Sequence, residues 1–233
     1  MQKHYLTFFI ILTLFVLIGA CSNDEVNPVL LGTKHYPVEK GHFVTYQVKK
    51  ILHGEIVEDE IEVFQRKEIV VDTFTDASNR TAYRIEQFKR ADDSETWAID
   101  SVWVVRKELT RLIKIENNEP FIKLVFPTEN GTKWDGNAIN GFPSEEYLAE
   151  VLSTPYQVNG NSFSNVIQIT HNADSSIVDR DVRIEVYAEN IGLVYKKTEV
   201  FQYINDFTNQ FYATDSVIGG IFFEQKVIDW GIE

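Results

Sequence analysis

Between Trp134 and Gly141 the chain reads Trp-Asp-Gly-Asn-Ala-Ile-Asn-Gly. An indole ring beside a carboxylate and two carboxamides can stack on a sugar or a peptide and hydrogen-bond its polar edge. Trp134, Asp135, Asn137 and Asn140 are therefore a candidate ligand loop. The same residues also suit a tight loop, in which Asn and Asp bond nearby backbone, Gly supplies positive φ and the indole plugs a core. A second polar stretch holds Asn172, Asp174, Asp179, Asp181 and Glu185. Calcium needs six to eight oxygens at close range, and the Asp-x-Asp-x-Asp-Gly order of an EF-hand is missing, so a solvated hairpin is the expectation. His35, His42, His53 and His171 show no ligand spacing such as His-x-x-x-His, and no metal or cofactor is expected. There is no Gly-x-Ser-x-Gly elbow and no Gly-x-x-x-x-Gly-Lys phosphate loop. Carboxylates are abundant, so a pair suited to glycoside cleavage could form only through folding.

These residues sit on a chain whose apolar signal has period two. Val44, Tyr46 and Val48 alternate with Thr45, Gln47 and Lys49, and Val182, Ile184 and Val186 alternate with Arg183, Glu185 and Tyr187. Similar strands fit 81–90, 109–116, 121–126, 165–171, 193–203 and 217–229. Trp97, Ile99, Ser101, Trp103 and Val105 share one strand face, and Trp97, Trp103 and Trp230 are expected to fill the interior of the sheet. Turn chemistry separates the strands at Ser78-Asn79, Asn117-Asn118, Asn130-Gly131, Asn159-Gly160 and Asn190-Ile191-Gly192. The best helix candidate is 144–152, with Ser144 as cap and Glu145 and Glu146 in its first turn. The expected fold is mainly β. It is a single antiparallel meander sheet, strongly twisted and curled toward a barrel or half-barrel, with at most one short helix. Curling matters because open edges invite aggregation. If such a sheet closes, its inward aromatics either pack solid or line a cavity for an apolar ligand.

Residues 1–20 have the pattern of a secretory leader: Lys3 at a weakly basic start, an apolar run from Leu6 to Ile18, then Gly19 and Ala20. That run would span about 20 Å as a helix, too short for a hydrocarbon core of about 30 Å. Ile18-Gly19-Ala20-Cys21 resembles the lipobox of bacterial lipoproteins, and Cys21 is the chain's sole cysteine. The resemblance implies cleavage before Cys21 and attachment of diacylglycerol to its thiol. Two or more acyl chains, at about 0.8 kcal/mol per buried CH₂, hold a protein at a membrane. Asp24 and Glu25 resemble the acidic surface-export signal that follows the cysteine in some Bacteroidota lipoproteins; a solvated acidic tether is the other reading. Residues 21–35 read as a flexible acidic tether and residues 36–233 as one β-rich domain. Fifteen such residues have a span of roughly 20 Å and reach about 50 Å when extended.

The net charge is −13, and removal of a leader whose one charged residue is Lys3 makes the mature chain more acidic. Such a chain repels nucleic acid, which excludes that class of partner. With Cys21 lipidated, no thiol remains for a disulfide, so the domain stands on its core. The 16 Phe, 10 Tyr and 4 Trp supply much of it.

Three stretches resemble a family of Bacteroidota lipoproteins of uncharacterised activity. They are Tyr36-Pro37-Val38-Glu39-Lys40-Gly41, Phe121-Ile122-Lys123-Leu124-Val125-Phe126-Pro127 with Trp134-Asp135-Gly136-Asn137, and Tyr187-Ala188-Glu189-Asn190-Ile191-Gly192-Leu193-Val194-Tyr195-Lys196. The resemblance implies a lipoprotein with a β-rich fold and carries over no catalytic residue. Asp100-Ser101-Val102 and Asp215-Ser216-Val217 resemble the O-glycosylation sites of exported Bacteroidota proteins, which makes Ser101 and Ser216 candidates for modification. The expected function is a non-enzymatic binding or scaffold module at the cell envelope, anchored to the outer membrane and facing the periplasm or the cell surface. Its partner is an envelope protein or a glycan. One alternative is a carrier of a lipid-like apolar ligand in the curled sheet, and another is a carboxylate-dependent hydrolase.

Overall fold

The computed structural model describes residues 32–54, 58–206 and 211–233. The leader, Cys21, Asp24 and Glu25 lie outside the described residues. Inside the stretch expected to be tether, Gly32 is buried and Thr33–His35 form a 3-10 turn. The buried His35 ring bridges the carbonyls of Gly32 and Asn165 at 3.1 and 2.8 Å.

Strands follow in chain order: β1 (His42–His53), β2 (Glu60–Thr75), β3 (Thr81–Arg90), β4 (Ala98–Lys107), β5 (Arg111–Glu116), β6 (Glu119–Val125) and β7 (Lys133–Asp135). Then come β8 (Glu146–Leu152), β9 (Tyr156–Val158), β10 (Asn161–Phe163), β11 (Val166–Ser175), β12 (Asp179–Ala188), β13 (Gly192–Asp206) and β14 (Phe211–Ile232). Twelve form one antiparallel sheet in the order β6-β5-β4-β3-β2-β1-β14-β13-β12-β11-β8-β7, and β9 and β10 pair as a separate hairpin. Hairpin steps dominate, and the first and last strands meet mid-sheet, where Val48 pairs with both Phe64 and Gln225. Asn117 and Asn118, both at positive φ, make the two-residue turn between β5 and β6. Asn159-Gly160 does the same between β9 and β10. The expected meander is thus present, and it curls until its edges β6 and β7 nearly close a barrel.

The seam at those edges is unsealed. The Ile122 N–H donates to the Gly136 carbonyl at 3.0 Å, and the Trp134 indole N–H donates to the Ile122 carbonyl at 2.8 Å. Gly136 is required here by close approach, because a Cβ at this position would collide with the Tyr147 ring.

The helix expected over 144–152 is instead β8. Ser144 and Glu145 supply helix-start chemistry, but β8 pairs with β7 on one side and β11 on the other, and Tyr147 and Ala149 are buried while Glu146 and Glu150 are exposed. Two ladders of hydrogen bonds and a period-two buried face override a local capping preference.

The tryptophans divide. Trp103 lines the barrel interior. Trp230 instead packs edge-on against Phe163 of the β9–β10 hairpin at 5.3 Å, and Trp97 lies under the Arg90 guanidinium at 4.2 Å. The same hairpin sets Tyr156 against Tyr195 at 5.9 Å and donates the Asn159 amide to the Val227 carbonyl at 2.9 Å.

Candidate functional site

The barrel interior is charged. On β12, Val186 is buried while Val182 and Ile184 are half-buried, and it is the face of Glu185 and Tyr187 that lines the interior. Glu185 is only 3% exposed. Its carboxylate faces Lys123 of β6 at 3.3 Å and Lys196 of β13 at 2.9 Å, and it accepts the Tyr187 hydroxyl at 2.6 Å. Farther along, Lys114 of β5 bridges Glu68 of β2 at 3.3 Å and Glu116 at 3.4 Å, and Glu116 lies 4.0 Å from Lys123. Glu68 accepts the Gln87 amide at 2.8 Å, and Gln87 in turn accepts the Ser101 hydroxyl at 2.7 Å. Charges thus alternate in sign across the interior, as buried ions require if each is to have a partner.

The network sets its own ionisation. Burial pushes the Glu185 carboxyl up, but Lys123, Lys196 and His171 together outweigh burial and hold it well below the usual carboxylate range. For Glu116 the same contest, against Lys123 and Lys114, brings it down to about 2. Lys114 is held above its ordinary value because Glu68 and Glu116 more than offset its burial. Glu185, Glu116 and Lys114 are therefore charged at neutral pH.

These charges line a cavity of about 60 Å³. One water occupies roughly 10–15 Å³ by this measure, so the interior has room for only a few small molecules of that size.

A larger space opens at the rim, where the β7–β8 connection meets β11 and β12. It is a polar cleft of about 650 Å³, lined by residues that include Asn137, Glu145, Thr170, His171, Asn172 and Arg183. Arg183 forks onto Asp181 at 2.7 and 2.6 Å and reaches Glu145 at 2.6 Å. A bulge between Thr170 and Asn172 leaves His171 unpaired in the ladder, and bulges re-aim side chains in this way. The His171 ring stacks on Tyr147 with centroids 3.9 Å apart, and its Nε2 lies 3.6 Å from Glu185, so the residue joins the rim cleft to the charged interior. Burial lowers the His171 pKa from 6.5, and the pull of Glu185 only partly restores it. The imidazole is neutral at pH 7.

Of the loop at 134–140, only Asn137 lines the cleft. Asp135 accepts the Asn137 and Glu145 amides at 2.9 and 3.0 Å. Asn137 donates to the Pro143 carbonyl at 2.7 Å, and Asn140 donates to the Pro120 carbonyl at 3.0 Å. Trp134, Asp135 and Asn140 are thus engaged in holding the seam and its loop. Ser101 is part-buried with its hydroxyl on Gln87, and Ser216 lies on β14 with partial exposure. Among the described residues, no group of three His, Cys, Asp or Glu side chains is placed to hold a metal. Sequence reasoning passed over Glu68, Lys114, Lys123, Lys196, Glu145 and Arg183. The signal was available for one of them: Lys114 falls between Leu112 and Glu116 on one face of a short strand.

No protein-family model matches the chain, and no curated protein matches it. Two solved structures resemble it. One is described as a candidate lipoprotein from Parabacteroides distasonis ATCC 8503, at 11% identity and a TM-score of 0.36 over 84% of this chain and 98% of that one. The other is described as a candidate outer membrane lipoprotein-sorting protein domain from Vibrio parahaemolyticus, at 14% identity and a TM-score of 0.20 over 84% of this chain and 87% of that one. Neither likeness is close enough to transfer an activity.

Proposed function

We propose that this protein is a lipid-anchored binding module of the cell envelope, held at the outer membrane through Cys21, which takes a polar ligand of glycan type at the rim cleft. The observation that carries this reading is the contrast between the two spaces. The interior offers about 60 Å³ among charged groups, whereas the rim offers about 650 Å³ among amide, hydroxyl, carboxylate and guanidinium groups. Ligand sites for small molecules run to about 300–1,000 Å³, which only the rim meets. The cleft's mixed donors and acceptors, with the His171 ring backed by Tyr147, match sugar hydroxyls and a sugar face. A lipid-like cargo needs several hundred Å³ of apolar space, and the interior, at about 60 Å³, is too small for it. Carboxylate-dependent hydrolysis needs one carboxyl held neutral in an apolar setting. Glu116 and Glu185 are instead both pushed down by lysines.

The test is capture of the full, Cys21-anchored chain from intact cells, followed by native mass spectrometry. A glycan adduct lost in Arg183→Ala supports the reading. A co-purifying protein with no glycan replaces the ligand class, and an apolar adduct moves the function to a carrier.

A further inference from the structure

The interior cavity is small, but its polar groups are not all matched. Arg66, on β2, and Trp103, on β4, both line it. Arg66 Nε and Trp103 Nε1 are fully buried and have no hydrogen-bond partner. A buried N–H left without an acceptor loses its bond to water and gains none in return. The rest of Arg66 is held by neutral groups: Nη1 donates to Gln225 at 3.1 Å, and the guanidinium lies between the Phe64 and Phe223 rings at 5.6 and 5.8 Å. Lys114, Lys123 and Lys196, by contrast, each face a carboxylate at 3.3 Å or less.

Charge bookkeeping points the same way. The lining carries four cations, Arg66 and the three lysines, against Glu68, Glu116 and Glu185. One positive charge is left over inside a protein whose whole chain carries −13. The neighbouring carboxylates outweigh burial and hold Lys114 and Lys123 above their ordinary values, so the surplus is not relieved by a lysine losing its proton. What the cavity lacks is an acceptor with negative charge. The volume of about 60 Å³ suits a few atoms, and the lining includes Pro37 and Ile191 beyond the strands.

We propose that the interior cavity is a second site, separate from the rim cleft, that binds one small oxyanion of acetate or phosphate size against Arg66 and Trp103. Charge-assisted hydrogen bonds from a buried guanidinium are the strong kind, and an indole N–H adds direction. The anion neutralises the surplus charge and caps both open donors. It thereby ties β2 to β4 from within.

The experiment is thermal unfolding and titration calorimetry of the full chain with sodium acetate and, separately, sodium phosphate, each against sodium chloride at equal ionic strength. Expected is a saturable rise in midpoint with at least one oxyanion beyond that in chloride. Acetate alone names a carboxylate, phosphate alone names a phosphate, and both together leave a general oxyanion site; each supports the proposal. Arg66→Gln weakens the titrated affinity at least about tenfold, as loss of a charge-assisted bond should. Arg84→Gln, on an exposed side chain, leaves it unchanged. Should Arg66→Gln not fold, Trp103→Phe keeps an aromatic ring at the site, loses the N–H, and weakens affinity about fivefold. No saturable effect beyond chloride, or full retention in Trp103→Phe and Arg66→Gln, overturns the site and leaves the cavity to water.

Discussion

Lys123 and Glu185 meet at 3.3 Å inside the barrel although β6 and β12 are separated in the sheet by seven intervening strands. The contact exists only because the sheet curls. It therefore acts as an internal tie across the barrel, beside a seam whose edge strands share only isolated hydrogen bonds. Removing one partner of a buried ion pair costs about 3–5 kcal/mol, because the other charge stays behind. Glu185→Gln strands both Lys123 and Lys196, and its unfolding free energy in urea should fall by about that amount. Lys123→Met should lose less, since Lys196 still serves Glu185.

Acid should unfold the protein in two stages with the same sign. Glu116 has a folded value of about 2 against an ordinary 4.5. A depressed carboxyl contributes stability that is present above its unfolded value and lost as pH falls toward its folded one. The window for Glu116 is therefore pH 4.5 down to about 2. Glu185 acts in the same direction. His171 begins earlier. The unfolded chain takes its imidazole proton at about 6.5 while the folded protein resists it, so stability declines as pH drops below 6.5. Urea unfolding at stepped pH should show this slope, and His171→Gln should flatten its upper part while leaving the Glu116 part intact.

The seam should be the first place to open. Trp134→Phe removes the 2.8 Å bond to the Ile122 carbonyl and should cost about 1 kcal/mol. Gly136→Ala should cost more, because the added methyl meets the Tyr147 ring. In both variants, amide exchange at Ile122 should rise well before exchange at Val48, which pairs mid-sheet with Phe64 and Gln225. Equal acceleration at both positions would contradict a weak seam.

Cys21→Ala should release the protein from the outer-membrane fraction while its folded domain stays intact. Separation of membranes and detection of the protein in each fraction checks this. Retention at the membrane would place the anchor elsewhere.

The strands were legible because alternation is local. Val44, Tyr46 and Val48 read as one buried face, and they are buried. The turns were legible for the same reason: Asn117-Asn118 and Asn159-Gly160 carry positive φ by their own chemistry. The 144–152 stretch misled because Ser144 and two glutamates mimic a helix start, and only pairing with β11 shows otherwise. The candidate loop at Trp134 was noticed for its composition, yet most of its polar groups serve the seam.

Read alone, the chain carries its leader pattern, its single cysteine in a stretch that resembles a lipobox, its acidity and its antiparallel β class. Each depends on residues adjacent in sequence or two apart. Which face of β12 turns inward, and which lysines meet Glu185, depend on curvature summed over a twelve-stranded sheet. Alternation marks two faces but does not say which one the barrel encloses. The β9–β10 hairpin packs Tyr156 on Tyr195, the ladder partner of Val186, so this face too is covered, while Glu185 and Lys196 fall on the other.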